Sequence, residues 1–140
     1  MKAAIRYYTQ TGNTRKLADA IASELGLEAK DISYPLEEQT DILFLCNSVY
    51  WAGIDRKVRQ FVMENGTKIG TLVNVSTAAL IESTYRQMKS VASEAGVTLS
   101  AREFHCRGRF KALHASHPDA ADLGAVRAFA RSVADPGDPE

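Results

Sequence analysis

The chain has 140 residues, with 17 lysines and arginines balanced by 17 aspartates and glutamates, and 45% of its residues are hydrophobic. These values are typical of a globular domain and exclude collagen-like, disulfide-scaffold and largely disordered chains. The balanced charge gives no bulk electrostatic reason to expect nucleic acid or an anionic membrane as a partner. No apolar run reaches the roughly 20 residues of a spanning helix, and MKAAIRYYTQTG lacks a signal-peptide core. Cys46 and Cys106 lie far apart in the sequence and form no C-x-x-C pattern. We therefore expect reduced thiols and a cytoplasmic protein.

Apolar runs and helical patterns alternate from one end of the chain to the other. The runs predict strands over residues 2–8, 27–32, 41–47, 69–76 and 97–106. Between them, apolar residues at helical spacing predict a helix over 14–25, one capped by Asp55, and a long one that precedes Gly96. A last helix begins at Pro118 and ends before Pro136. Gly26 and Gly96 stand where glycine commonly ends a helix.

The alternation predicts an α/β fold, a doubly wound parallel sheet of five strands between two helix layers. Residues 41–47 are apolar at nearly every position, as central strands are, whereas 27–32 and 97–106 alternate as edge strands do. Edges at the second and fifth strands fit the order 2-1-3-4-5. We expect one domain over residues 1–134 and a disordered tail over 135–140.

Polar residues follow the first strand at the point where such sheets bind ligands, outside the carboxyl ends of the strands. The chain reads Thr9-Gln10-Thr11-Gly12-Asn13-Thr14 and then enters a helix. Hydroxyls, backbone N–H groups and the positive end of a helix together form a cradle for a phosphate. The alternative is a polar turn that caps the helix and binds nothing. The P-loop and dinucleotide patterns are both absent.

The pattern T-x-T-G-N-T after a first strand resembles the phosphate loop of the flavodoxins, and the resemblance extends along the whole chain. It implies the flavodoxin-like fold, FMN as cofactor, and phosphate binding by the residues that match that loop, Thr9, Thr11, Gly12, Asn13 and Thr14. The family's second loop, which lies against the isoalloxazine ring, matches Ser48-Val49-Tyr50-Trp51-Ala52-Gly53. Its third loop matches Ser76-Thr77-Ala78-Ala79. The chain lacks the insertion that divides strand 5 in long-chain members, so the resemblance is to the short-chain form.

The second loop also fits a flavin on physical grounds. Tyr50 and Trp51 offer an aromatic wall to a flat ring, and Gly53 leaves the backbone free to approach it. We expect Tyr50 to stack on the ring, although the two aromatics could instead fill a gap on the surface. The chain departs from typical flavodoxins in being neutral and in having no aromatic residue on the third loop.

The resemblance implies an electron carrier that exchanges single electrons with protein redox partners, a reductase and an acceptor. We expect a monomer with no catalytic residue, no metal, no nucleic acid and no membrane partner. One alternative is a small FMN-dependent NAD(P)H:quinone-type reductase, which the missing aromatic favours because an open flavin face admits a flat substrate. Another is a module of the same fold that has lost its cofactor and binds only protein.

Residues 102–111 carry four cations, Arg102, Arg107, Arg109 and Lys111, against the single acid Glu103. This stretch is either a solvated face or a set of charges that face the flavin or the docking surface of an acidic partner.

Overall fold

The computed structural model describes residues 2–8, 12–49, 54–78, 84–107 and 118–134. In these residues six strands form one parallel sheet in the order β2-β1-β3-β4-β5, with β6 also paired to β4. The predicted α/β fold and strand order are therefore confirmed, while the predicted tail at 135–140 lies outside the described residues. The strands are β1 (Ala3–Tyr7), β2 (Ala29–Asp31), β3 (Thr40–Val49), β4 (Ile69–Ala78), β5 (Thr98–Leu99) and β6 (Phe104–Arg107).

Four α-helices cover the two faces of the sheet, as the apolar strands require. They are α1 (Asn13–Leu25), α2 (Arg56–Asn65), α3 (Tyr85–Ala95) and α4 (Ala120–Ala134), and a 3-10 turn over Gly66–Lys68 follows α2. One apolar cluster joins α1 and α4 to side chains such as Phe44 and Val73, and the other joins α2 and α3 to Leu45 and Leu72. None of the helices in the described ranges is both long and apolar enough to cross a membrane.

The end of α1 explains why β2 is shorter than predicted. Gly26 adopts φ 67°, and the N–H of Leu27 donates to the carbonyl of Ala22 across 3.0 Å. This is the hydrogen bond of a Schellman motif, so Leu27 belongs to the helix end and cannot begin a strand. The prediction of a strand over 27–32 is therefore wrong at both ends, since pairing with β1 covers only Ala29–Asp31.

The fifth strand is divided, which corrects the prediction of one strand over 97–106. Leu72 pairs with Leu99 and Val75 pairs with Phe104. An advance of three residues along β4 therefore corresponds to an advance of five residues from β5 to β6. The two extra residues form a bend in which the N–H of Arg102 donates to Ser100 Oγ across 3.1 Å. The hydroxyl of Tyr85 donates to the carbonyl of Ser100 across 3.0 Å and ties the bend to α3.

The connection from β2 to β3 contains no helix and is held in place by buried polar groups. Arg6 is only 7% exposed, and its guanidinium donates to the carbonyls of Tyr34 and Pro35 across 2.9 and 3.2 Å. On the far side, the N–H of Leu36 donates to Asn65 Oδ1 across 2.9 Å. A cavity of about 400 Å³ lies beside α2, lined by side chains that include Tyr8, Ser33, Lys57, Gln60 and Phe61.

Candidate functional site

The switch point of the sheet lies at its carboxyl edge between β1 and β3, and we call the gap expected there the crevice. From β1 the chain passes to α1 on one face of the sheet, and from β3 it passes to α2 on the other face. Adjacent strands whose connections leave in opposite directions open a gap at their carboxyl ends, and ligands of doubly wound proteins bind there.

The predicted site residues that the structure describes all lie at this edge. They are Gly12, Asn13 and Thr14 at the start of α1, Ser48 and Val49 at the end of β3, and Ser76 and Thr77 near the end of β4. The other predicted residues, Thr9, Gln10, Thr11, Tyr50, Trp51 and Gly53, lie outside the described residues.

The first turn of α1 starts from a glycine in a left-handed conformation. Gly12 is the N-cap with φ 89°, and a Cβ atom built on it would meet no heavy atom of the described residues within 4 Å. Asn13 and Thr14 are buried, and Thr14 Oγ1 donates to the carbonyl of Tyr8 across 2.8 Å. This bond closes the base of the loop between β1 and α1. The hydroxyl proton of Thr14 is thus used inside the protein, and the positive end of α1 lies at the carboxyl edge.

The three hydroxyl residues at the ends of β3 and β4 divide between the two faces of the sheet. Ser48 and Thr77 are register partners and are 6% and 1% exposed. Side chains alternate along a strand, so both lie on the face covered by α1, the same side as Thr14. Ser76 lies on the opposite face, where its Oγ accepts a hydrogen bond from the N–H of Thr84 at 3.4 Å.

A buried polar network connects the same two strands to α3 on the second face. Asn47 Nδ2 donates to Asn74 Oδ1 across 2.8 Å and to the carbonyl of Leu45 across 3.0 Å. Thr84 Oγ1 donates to Asn47 Oδ1 across 2.6 Å and accepts from Asn74 Nδ2 at 3.0 Å. All three side chains have no solvent exposure. Asn47 directly precedes the second loop, and Asn74 and Thr84 stand on either side of the third loop in the sequence. The network therefore links the bases of the two loops.

Asn47, Asn74 and Thr84 are not among the residues predicted from the sequence. A signal was present, because an asparagine inside an otherwise apolar strand needs a hydrogen-bond partner once it is buried. The sequence could not show that the partner of each asparagine is the other one, since the pair is 27 residues apart.

The two cysteines are shielded rather than reactive. Burial raises the pKa of Cys46 well above its ordinary value. Burial, and then the carboxylates of Asp122 and Asp119, raise the pKa of Cys106 to about 12. Neither thiol is therefore a nucleophile at neutral pH. Among the described residues, no group of three or more side chains is arranged to hold a metal ion.

The structure places only part of the basic stretch over residues 102–111. The guanidinium of Arg102 turns toward α4, where it lies 5.8 Å from the ring centroid of Phe129 and bonds to Ser132. The backbone of Arg107 pairs with Ala78 at the carboxyl edge. Arg109 and Lys111 lie outside the described residues.

Comparison with known proteins identifies the fold. No family model and no curated protein sequence matches the chain. Among solved structures, it is similar to a flavodoxin from the domain Archaea, with 13% identity, a TM-score of 0.74, and coverage of 97% of this chain and 98% of that one. It is also similar to oxidised flavodoxin 1 from Bacillus cereus, with 17% identity, a TM-score of 0.69, and coverage of 96% and 97%.

A third similar structure is a Fusobacterium nucleatum flavodoxin bound to flavin mononucleotide, with 15% identity, a TM-score of 0.65, and coverage of 96% and 98%. At identities of 13–17%, the TM-scores of 0.65–0.74 show a shared fold and no more than that. The chain has the flavodoxin-like fold over nearly its whole length.

Proposed function

We propose that the chain binds FMN in the crevice at the carboxyl edge and works as a monomeric, cytoplasmic electron carrier between protein partners, a reductase and an acceptor. The observation that carries the proposal is the start of α1 at the switch point. There Gly12 opens the helix at positive φ with no N-cap side chain. A phosphate group suits this place because the helix end is positive and no atom of residues 12–49, 54–78, 84–107 or 118–134 would meet a Cβ built on Gly12.

Different residues of the chain would contact different parts of the cofactor. Backbone groups of Gly12, Asn13 and Thr14 would hold the phosphate together with Thr9, Gln10 and Thr11. The side chains of Ser48 and Thr77 lie on the same face and would bond to polar atoms farther along the cofactor. Val49 and Ser76 would contribute backbone groups, since the Ser76 hydroxyl is bonded to Thr84 on the other face. Tyr50, Trp51 and Gly53 would border the flat ring. When bound, FMN supplies a ring that gains or releases one or two electrons, and the protein sets how readily it does so.

The proposal is tested by titrating the full chain with FMN, riboflavin and FAD, followed by visible absorption and flavin fluorescence. We expect FMN to bind at micromolar concentrations or below. Riboflavin should bind more weakly because it lacks the phosphate, and FAD should bind more weakly because its phosphate carries an adenylate. A chain that takes up no FMN at micromolar concentrations would contradict the proposal and favour a protein-binding module without cofactor.

A small FMN-dependent NAD(P)H:quinone-type reductase is the second candidate. The residues that follow Thr77 are Ala78 and Ala79, so the third loop begins with no aromatic side chain to cover the ring. Steady-state oxidation of NAD(P)H by the FMN-loaded chain, with and without a quinone, separates the two functions. A carrier gives no turnover, whereas sustained oxidation with quinone supports the reductase.

A further inference from the structure

Three of the four helices carry charges opposite to those that a helix dipole favours. The first turns of α1, α2 and α3 contain no acidic residue, and their last turns contain no basic one. Instead each first turn carries cations and each last turn carries a glutamate, Glu24, Glu64 and Glu94. Since acids favour a helix N-terminus and cations a C-terminus, this pattern is unfavourable in all three helices. Only α4 follows the usual rule, with Asp122 in its first turn and Arg131 in its last.

The inverted charges all point the same way because of the fold. Helices that connect parallel strands run antiparallel to them, so the N-termini of α1, α2 and α3 lie at the carboxyl edge of the sheet. The first-turn cation Arg59 pairs with Glu94 of α3 across 2.5 Å. We call the other exposed cations of these first turns the edge cations; they are Arg15, Lys16, Arg56, Lys57 and Arg86. The glutamates lie at the amino edge. The N-terminus of α4 lies at the same edge with Asp119 and Asp122, so the cations gather at the starts of α1, α2 and α3 and not along the whole edge.

Among the residues that the structure describes, few acids offset the edge cations. Arg15 forms an i,i+4 ion pair with Asp19, with 3.7 Å between Nε and Oδ2. Asp55 caps α2 by accepting from the N–H of Lys57 across 2.8 Å, and Asp31 accepts from the N–H of Ser33 across 2.6 Å. Within the described ranges, Lys16, Arg56 and Arg86 form no ion pair, so their charges face solvent.

A protein tolerates a locally unfavourable pattern where function needs it. We propose that the edge cations form the docking surface for an acidic protein, the partner with which electrons are exchanged; this rests on the proposed function. Opposite charges around the crevice orient the partner before contact and accelerate association. Lys57 also lines the cavity beside α2, which offers the partner a recess at the border of the surface.

A protein fits these features better than nucleic acid or an anionic membrane. Surfaces that bind phosphate polymers are usually part of strongly basic domains, whereas this chain is neutral and carries Asp31 and Asp55 among its cations. Mixed charge of this kind suits a partner surface in which carboxylates are arranged at particular positions.

The test uses isotope-labelled full chain, with and without FMN, titrated with cytochrome b5 as an acidic probe and cytochrome c as a basic one. We expect cytochrome b5 to shift amide resonances in the first turns of α1, α2 and α3 rather than in α4. Its affinity should fall as salt is added. Cytochrome c should leave those turns unchanged.

Matched variants assign the effect to position rather than to net charge. The double variant Arg56→Gln with Arg86→Gln should weaken cytochrome b5 binding by roughly three- to tenfold at low ionic strength. The control, Lys2→Gln with Arg127→Gln, removes the same charge at the amino edge and in the middle of α4, and it should change the affinity by less than about twofold. Neither pair belongs to the proposed FMN site.

Three results would overturn the docking surface: no binding of cytochrome b5, resonance shifts outside the first turns, or equal effects of the two double variants. Tighter binding of duplex DNA or of phosphatidylserine vesicles at the same ionic strength would instead assign the edge to those partners. The footprint does not depend on flavin. If the chain binds cytochrome b5 at the edge but takes up no FMN, the docking surface is supported and the proposed function is contradicted. If the chain takes up FMN but cytochrome b5 shifts no resonances at the edge, the proposed function is supported and the docking surface is contradicted.

Discussion

Asn47 and Asn74 bond to each other through their side chains inside the layer between the sheet and α3, with 2.8 Å between Nδ2 and Oδ1. Asn47 stands two residues before the end of β3 and Asn74 four residues before the end of β4, and each strand then continues into a loop of the proposed site. The hydroxyl of Thr84 completes the group by bonding to both asparagines. The network therefore holds the bases of two loops in a fixed relation, as a buried and satisfied polar group does.

Replacing Thr84 with valine removes the hydroxyl and keeps the shape. A buried polar group left without a partner costs about 1–3 kcal/mol, and we expect the free energy of unfolding to fall by about 2 kcal/mol or more. Thr84 makes no side-chain cap bond, so a lost cap does not enter this figure. Urea unfolding of Thr84→Val and of the control Thr84→Ser measures the effect. Equal stability of the two variants would contradict a role for the hydroxyl.

Replacing Gly12 with alanine should destabilise the fold slightly and weaken FMN binding strongly. A left-handed conformation costs a residue with a Cβ about 1–2 kcal/mol. Gly26 provides the control, since it also has positive φ and open space but lies at the other end of α1. Both alanine variants should lose similar stability in urea, and only Gly12→Ala should raise the dissociation constant for FMN. Equal FMN affinity in the two variants would place the phosphate elsewhere.

Replacing Arg86 with glutamate should stabilise the protein although it removes a docking charge. An acid in the first turn of a helix contributes about 0.3–1 kcal/mol where a cation does the opposite. Arg127→Glu, in the middle of α4, makes the same charge change away from any helix end. Thermal unfolding at low salt should show a higher Tm for Arg86→Glu only, and added salt should shrink the difference. A lower Tm would mean that Arg86 has a stabilising contact.

Alkaline pH should weaken the fold through Cys106. Its pKa is raised from 9.0 to about 12 by burial and by nearby carboxylates. The unfolded chain therefore ionises this thiol first, so its contribution to stability is complete below pH 9.0 and is lost as the pH rises toward about 12. Urea unfolding at several pH values, with reductant, should show a steeper loss for the wild type than for Cys106→Ala. Parallel curves would contradict this role.

The sequence predicted those elements that local physics determines. Apolar runs of the right length identified the central strands, Asp55 and Gly26 marked helix ends, and alternation in the outer runs placed them at the edges. Each of these signals lies within a few residues of the feature that it predicts.

The features that the sequence did not predict depend on distant partners. β2 is short because Leu27 completes the cap of α1, and the fifth strand is divided because its register with β4 changes by two residues. Arg6 reads as a polar interruption of β1 until the carbonyls of Tyr34 and Pro35, 28 and 29 residues away, account for its burial. For the site, the sequence predicted which segments meet at the edge but not which face each hydroxyl takes.

The bend at residues 100–103 contains an even number of extra residues, and this has a consequence for how the chain tolerates insertions. Side chains alternate between faces, so two extra residues leave Phe104 and Cys106 packed against α4, as an unbroken strand would. With one or three extra residues, the side chains of β6 would exchange faces. The ring of Phe104, whose centroid lies 5.9 Å from that of Phe129, would become exposed, and His105 would be buried instead. We expect this bend to accept added residues in pairs, and a single added residue there to disrupt the outer edge of the sheet.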